Sequence, residues 1–311
     1  KATNTMVVLG VAVAVAVLAG ALLVGASVRE SLRQIALGRL GATEVVITAP
    51  IPFRAALADS LKVPSAPLMI FAGAVSHDES RRSAGQVMVY GIDERFGRFH
   101  GVDGLTLTGR EAFLSPALAS ELGAKDGDGI TLRVARPTDI PLSSLQGRRE
   151  VTGQRIRLNV ARVLDRASLG EFSLAPSQGP VLALYVPIER LQRDLDLGDR
   201  ANMLLVKGVG DHFDQADFLR SQLGPAVTLD DLGLRTRPGP GEITVIESRA
   251  GLITDPLADR IAEIANNDLK RALTYVANSI RIGDREVPYS TISAVEGLDV
   301  GSFENDPRPL F

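Results

Sequence analysis

The chain contains no cysteine. Disulfides, thiol chemistry and cysteine-based zinc sites are therefore excluded. It contains no tryptophan, and aromatic residues make up only 5% of it, which argues against a surface that stacks sugars or bases. Histidine is scarce: His77, His100 and His212 are the three present. None stands four residues from another ligand type, so each is expected at the surface or in a turn rather than on a metal. A large net charge is also missing. The balance is −3 with Lys and Arg scattered, which leaves no footprint for nucleic acid. There is no G-x-S-x-G, no H-E-x-x-H and no P-loop. Asp126 and Asp128, set among glycines, resemble a calcium loop, but the twelfth position would be Pro137 where a carboxylate is needed, so a tight turn is the better reading. Asp230 and Asp231 are neighbours, and in a strand they would point to opposite faces. No catalytic, cofactor-binding or metal-ligating residue is assigned, and the chain is not expected to be an enzyme.

What is present is a long apolar run. Met6 to Ser27 reads MVVLGVAVAVAVLAGALLVGAS, without a charge, Asn, Gln or Pro. About 20 such residues in a helix span the roughly 30 Å hydrocarbon core of a bilayer. The segment is apolar all round, where a soluble core helix would keep a polar face. Residues 1–27 are read as a transmembrane helix. The alternative is a cleaved signal peptide ending at Gly25, Ala26 and Ser27, whose apolar region would be shorter. Ala12, Ala16 and Gly20 form a candidate helix-packing face. Val28, Leu32, Ile35, Ala36 and Leu40 continue the spacing, so residues 28–41 are read as a stalk helix that Gly41 stops. Arg29, Arg33 and Arg39 follow the span and only Lys1 precedes it, which taken literally puts the C-terminal side in the cytoplasm. The chain starts at Lys1 rather than Met, so the preceding flank is expected to be incomplete and the count is set aside.

Beyond the stalk, strands and helices alternate. Glu44–Thr48 is a strand that Pro50 and Pro52 break, and Phe53–Leu61 is a short helix. Leu68–Val75 and Gln86–Ile92 are strands joined by a polar hairpin tip. Ala112–Ser115 is a strand edge. Pro116–Leu122 is a helix with Ser115 as N-cap, Pro116 at the first turn and Gly123 as its stop. Ile130–Val134, Arg155–Leu164, Val181–Val186 and Asn202–Val206 are strands, with a short helix after Pro187. Leu234–Gly241, rich in Pro and Gly, looks like a boundary. The tail then repeats the order of the first block at an offset near 200 residues: Glu242–Ile246, the helix Asp255–Asn266, Leu273–Ile280 and Val287–Ile292. This second copy stops before any equivalent of Ser115–Asp128, so the chain is expected to be part of something longer.

Two stretches carry a family resemblance. Val89, Gly91, Ile92, Asp93 and Phe96 fit a V-x-G-(V/I)-D-x-x-F passage. Leu118, Ala119, Leu122, Gly123, Lys125, Gly127 and Asp128 fit L-A-x-x-L-G-x-K-x-G-D. With one apolar helix ahead of them, they make the chain resemble the MacB/FtsX-like permease subunits of ABC transporters, over their first transmembrane helix and periplasmic core domain. The motif residues Gly91, Asp93, Phe96, Leu118, Leu122, Gly123, Gly127 and Asp128 are structural rather than catalytic.

The fold so implied is membrane-anchored α+β. A helix and stalk lead into an extracytoplasmic mixed α/β (βαβ-type, porter-like) subdomain at 42–100 and 201–233. A strand-rich subdomain is inserted at 101–200, and a truncated second α/β repeat occupies 242–311. The resemblance further implies a bacterial inner-membrane location, an ABC ATPase on a separate subunit or domain, a homo- or heterodimer with another permease, and coupling of ATPase motion to the extracytoplasmic domain. A singly anchored binding or scaffold protein is the alternative. A membrane-anchored hydrolase would need an Asp, Glu, Ser or His cluster converging in a pocket.

Overall fold

One helix, α1 (Ala2–Arg39), opens the chain. At 1.5 Å per residue its 38 residues extend about 57 Å, nearly twice the roughly 30 Å of a bilayer core. The part from Asn4 is long and apolar enough to cross a membrane. Residues 4–38 are exposed throughout, so the body covers none of them. The helix passes without a break from the apolar run into the segment 28–39, where Glu30 lies 3.8 Å from Arg33 on one face. It ends where Gly41 takes φ +59, a left-handed conformation that glycine adopts without Cβ strain.

The computed structural model describes residues 2–135, 153–175, 179–210, 215–239, 243–266 and 269–297. Pro137, His212, Glu242 and residues 298–311, which the sequence reading uses, lie outside them. The chain forms two units, Lys1–Gly251 and Leu252–Phe311.

After α1 the first unit runs β1 (Val45–Arg54), a 3-10 turn (Ala55–Ser60), β2 (Ser65–His77), β3 (Ser83–Ile92), α2 (Glu94–His100) and β4 (Glu111–Leu114). Then come α3 (Pro116–Leu122), β5 (Gly129–Ala135), β6 (Gly153–Val163), β7 (Ala183–Pro187) and α4 (Ile188–Asp194). It closes with β8 (Arg200–Val206), α5 (Gln215–Leu223), β9 (Leu234–Pro238) and β10 (Thr244–Ser248).

The strand β2 organises this unit. Its 13 residues serve two partners along one side of their length. Ser65–Leu68 pairs with β8, and Gly73–His77 pairs with β5. The sheet order β1-β8-β2-β3-β7-β4-β6-β5 therefore returns to β2, and six strands close into a ring with β8 and β1 as an extension. Two pairs in the ring are parallel, β3 with β7 and β4 with β6. Alternate residues fill the ring: Ile130, Leu132 and Val134 of β5 and Ile156, Leu158 and Val160 of β6 are buried in one aliphatic cluster, while Arg133, Arg155 and Arg157 between them are exposed. A second cluster, rich in aromatics, gathers Tyr90, Phe96, Phe99, Phe113, Phe172 and Tyr185 under α2.

Several expectations need correcting. Of the expected helix Phe53–Leu61, Ala55–Ser60 is helical, as the 3-10 turn, while Phe53 and Arg54 belong to β1. β1 continues through Phe53 and Arg54, which pair with Ala201 and Arg200, and a register shift between Thr48 and Phe53 absorbs the two prolines. The stretch Leu234–Gly241 is not a boundary. Leu234–Pro238 is β9, paired antiparallel with β10, and the division between units follows Gly251. The porter-like segments and the 101–200 segment share one sheet, because β3 pairs with β7. The helices α2 and α5 were not foreseen.

The second unit holds α6 (Asp255–Ile264), β11 (Ala272–Ile282) and β12 (Arg285–Val295). β11 and β12 form an antiparallel hairpin, as β2 and β3 do. The strand expected to open the second copy is β10, which lies in the first unit. It pairs with β9, whereas β1 pairs with β8.

Candidate functional site

The chemistry-bearing residues converge where α1 enters the body. The six residues 39–44 make this root. The carbonyl of Arg39 accepts the Ser173 N–H at 3.0 Å. The Arg39 guanidinium donates to the Gly179 carbonyl at 3.0 Å and stands 4.0 Å from Glu171, which also pairs with Arg166 at 3.3 Å. Thr43 turns back to the Leu40 carbonyl at 3.1 Å. The Ala42 N–H donates to His100 Nδ1 at 3.0 Å. Glu44 donates its N–H to the Val206 carbonyl and accepts the Gly208 and Val209 N–H groups at 2.8 and 3.2 Å. The helix is thus tied to the 169–179 segment, to α2 and to β8 at once.

The aromatic cluster supports this root. His100 packs edge-on against Phe96, Phe99 and Phe172, with ring centroids 4.6, 4.8 and 5.2 Å away. Tyr185 donates its hydroxyl to the Leu169 carbonyl at 2.6 Å; burial pushes its pKa well above 10. Lys207 donates to the Phe99 carbonyl and lies over that ring at 5.1 Å. Burial, and secondly Lys207, holds the His100 imidazole down near about 4. It is neutral near neutrality, and since Nδ1 accepts, the proton sits on Nε2.

The first motif builds α2, which carries His100. Gly91 lies where a Cβ would meet Leu191 at 2.9 Å and Met69 at 3.0 Å. Asp93 is the N-cap of α2, accepting the Arg95 N–H at 2.8 Å, and pairs with its guanidinium at 2.7 Å. Phe96 is fully buried and touches the His100 ring. Asp93 and Gly101, which closes α2 at φ +70, are the signals from which this helix could have been read.

The second motif builds α3 and the turn into β5. Leu118 and Leu122 are fully buried, Gly123 takes φ +66 as the cap, and Gly127 at φ +94 donates to the Val160 carbonyl at 2.7 Å. Asp128 accepts the Lys125 N–H at 2.7 Å, and Asp126 accepts the Val163 N–H at 2.9 Å. Asp128 is thus used by turn chemistry and Asp126 by a tie to the end of β6, and no cluster of metal ligands forms among the described residues. Ser115 is buried and accepts N–H groups from Leu118 at 3.2 Å and Ala183 at 3.0 Å, which ties α3 to β7. Ser115→Ala leaves both donors without a partner. It is expected to lower stability by about 2 kcal/mol, read as a fall in the urea midpoint at unchanged slope.

One serine–histidine–aspartate convergence exists among the described residues. His77, expected at the surface or in a turn, is buried at the foot of the 78–80 turn. Its Nδ1 stands 2.8 Å from Ser80 Oγ, and its Nε2 stands 3.3 Å from Asp128 without the alignment of a hydrogen bond. The Ser80 hydroxyl donates to the Leu122 carbonyl at 3.0 Å. The neighbouring groove is lined by Gly123, Lys125, Asp126 and Val163 but by neither His77 nor Ser80. The trio staples the β2–β3 hairpin tip onto α3.

Ala12, Ala16 and Gly20 share one exposed face of α1, and a Cβ on Gly20 would meet nothing within 4 Å. Asp230 and Asp231 lie in a turn, not a strand, and each holds arginines: Asp231 pairs with Arg54 at 2.6 Å, and Asp230 with Arg200 at 2.7 Å and with Arg249.

No family model and no curated protein matches the chain. Its structural neighbours are the extracytoplasmic regions of ABC-type transporter permeases. One is the extracellular domain of the noncanonical ABC-type transporter YknZ from Gram-positive bacteria. It is 14% identical, with 64% of this chain and 91% of that one covered and a TM-score of 0.39. Another is the periplasmic region of MacB from Actinobacillus actinomycetemcomitans, also 14% identical, with 72% and 86% covered and a TM-score of 0.35. Both scores are below 0.5, so the functional reading rests on the chain's own residues.

Proposed function

We propose that this chain is the first membrane helix and extracytoplasmic body of an ABC transporter permease, of the export or mechanotransmission type. The observation that carries the reading is the root. A helix of membrane-spanning length continues unbroken into the body and is fixed there on three separate elements. A rigid rod clamped in this way passes displacement between a bilayer and a folded domain. The motif stretches support it, since Gly91, Asp93 and Phe96 position the helix that carries His100 to the rod. The body lies outside the cytoplasm, at the bacterial inner membrane. ATP hydrolysis belongs to a separate nucleotide-binding subunit or domain, and the permease works as a homo- or heterodimer. β11 and β12 belong to a partial second copy of the α/β block.

Two measurements test this. Because the chain is free of cysteine, Glu79→Cys on the exposed hairpin tip gives a unique thiol. It is expected to react with a membrane-impermeant maleimide on intact spheroplasts. Labelling only after lysis would overturn the extracytoplasmic placement. The full gene is expected to encode three further spans, with an ATPase gene beside it. A gene ending soon after Phe311 with no such neighbour favours a singly anchored scaffold instead.

A further inference from the structure

We propose that His100 is an acid-sensitive latch that holds the root of the long helix on the body. The proposal stands on the geometry of the root, whatever that helix transmits. The imidazole is a hinge point in the literal sense: Nδ1 accepts the Ala42 N–H at 3.0 Å, and a Cβ on Gly41 would lie 2.5 Å from the same atom. The chain passes close to the ring, and the unprotonated Nδ1 is the acceptor that completes the contact. Nε2 is buried and has no hydrogen-bond partner among the described residues.

A second proton has one place to go, on Nδ1. The Ala42 N–H and the new N–H would then point at each other, and the hydrogen bond would become a repulsion. The surroundings are apolar rings and a like charge. From α2 come the Phe96 and Phe99 rings, and from the 169–172 segment comes Phe172. From the end of β8 comes the Lys207 ammonium, of like charge. The Arg39 guanidinium of the root is engaged by Gly179 and Glu171, and Glu171 is shared with Arg166. Among the described residues no carboxylate pairs with the imidazole. The sign follows from the depressed value. A histidine held below 6.5 in the fold contributes stability that is intact above 6.5, weakens as the pH falls, and is gone below about 4. Acid therefore releases Ala42 and removes one of the three ties of the root, leaving those of Arg39 and Glu44.

The test uses the full chain in lipid nanodiscs with spin labels at Gln34→Cys on the helix and Arg110→Cys on the body. A second pair, Glu79→Cys and Arg110→Cys, reports on the body alone. The helix-to-body distance distribution is expected to be narrow at about pH 7.5 and to broaden at about pH 3.5, while the body pair stays narrow. His100→Asn places an amide oxygen near the acceptor position and does not titrate, so its distribution is expected to stay narrow at both. Lys207→Met removes the neighbouring charge and is expected to move the transition to higher pH. A wild-type distribution that stays narrow in acid overturns the latch. So does broadening of the His100→Asn protein in step with wild type, or an unmoved midpoint in the Lys207→Met protein.

Discussion

Replacing Gly41 with valine is expected to unseat the long helix from the body. Gly41 sits at φ +59, and the atoms that a Cβ would meet are His100 Nδ1 at 2.5 Å, His100 Cε1 at 2.9 Å and Leu169 Cδ2 at 3.1 Å. None gives way easily, because the imidazole is wedged among Phe96, Phe99 and Phe172. A left-handed backbone at a residue with a Cβ costs about 1–2 kcal/mol, and overpacking a filled site costs about 1–3 kcal/mol more. The sum, about 3 kcal/mol, exceeds a typical hydrogen bond such as that from Ala42 to His100. The measurement is amide exchange in the full chain in detergent. Protection at Ala42 and Glu44 is expected to fall steeply, while protection in β5 and β6 holds. Undiminished protection at Ala42 would mean that the root is looser than described.

The second large effect lies at the far end of β1. Asp231 is 4% exposed. Its carboxylate accepts the Arg54 N–H at 3.0 Å, the Arg54 Nε at 2.9 Å, and the N–H and hydroxyl of Thr228, both at 2.9 Å. Burial pushes the carboxyl up, but the hydrogen bonds from Arg54 and Thr228 together outweigh it and hold it well below 3.8. Asp231→Ala strips these donors of their acceptor and is expected to lower stability by about 3 kcal/mol, read from the urea midpoint. The pH dependence has the opposite sense to that of His100 in origin but the same direction. A depressed carboxylate contributes stability above 3.8 that is lost as the pH drops through its folded value. The Asp231→Ala protein is therefore expected to show a flatter decline in stability below 3.8 than the parent. An equally steep decline would assign the acid sensitivity elsewhere.

How much of this was legible depended on whether a signal was local. α3 was, because Ser115, Pro116 and Gly123 encode its cap, first turn and stop within nine residues. So was the length of α1, from the apolar run and from the helical spacing that continues after Val28. The extension of β1 through Pro50 and Pro52 was not, because the bulge is stabilised by β8, some 150 residues later. The boundary assigned to Leu234–Gly241 failed for a similar reason: a Pro and Gly run reads as a linker until β10 is seen to pair with β9. The ring was invisible, since nothing in β2 announces that its two ends take different partners. The root was invisible as a site too. Gly41 was read as a helix stop, which it is, but its approach to His100 joins residues 58 positions apart in the Ala42 bond. His77 and His100 were expected in exposed or turn positions on frequency; His77 does border the 78–80 turn but is buried there, and His100 is held within the aromatic cluster.

The partners of the root all come from later in the chain: His100 for Ala42, Ser173 for Arg39, Val206 and Gly208 for Glu44. On the proposed reading, a polypeptide made from its N-terminus commits its apolar helix to lipid while the residues that will grip it are still unsynthesised. The anchorage is a late event of biogenesis, closed only when β8 arrives. Closing loops of this length is slow. Lesions at the root should consequently speed its release more than they delay its assembly, and quality control would meet them as properly inserted but unfastened chains.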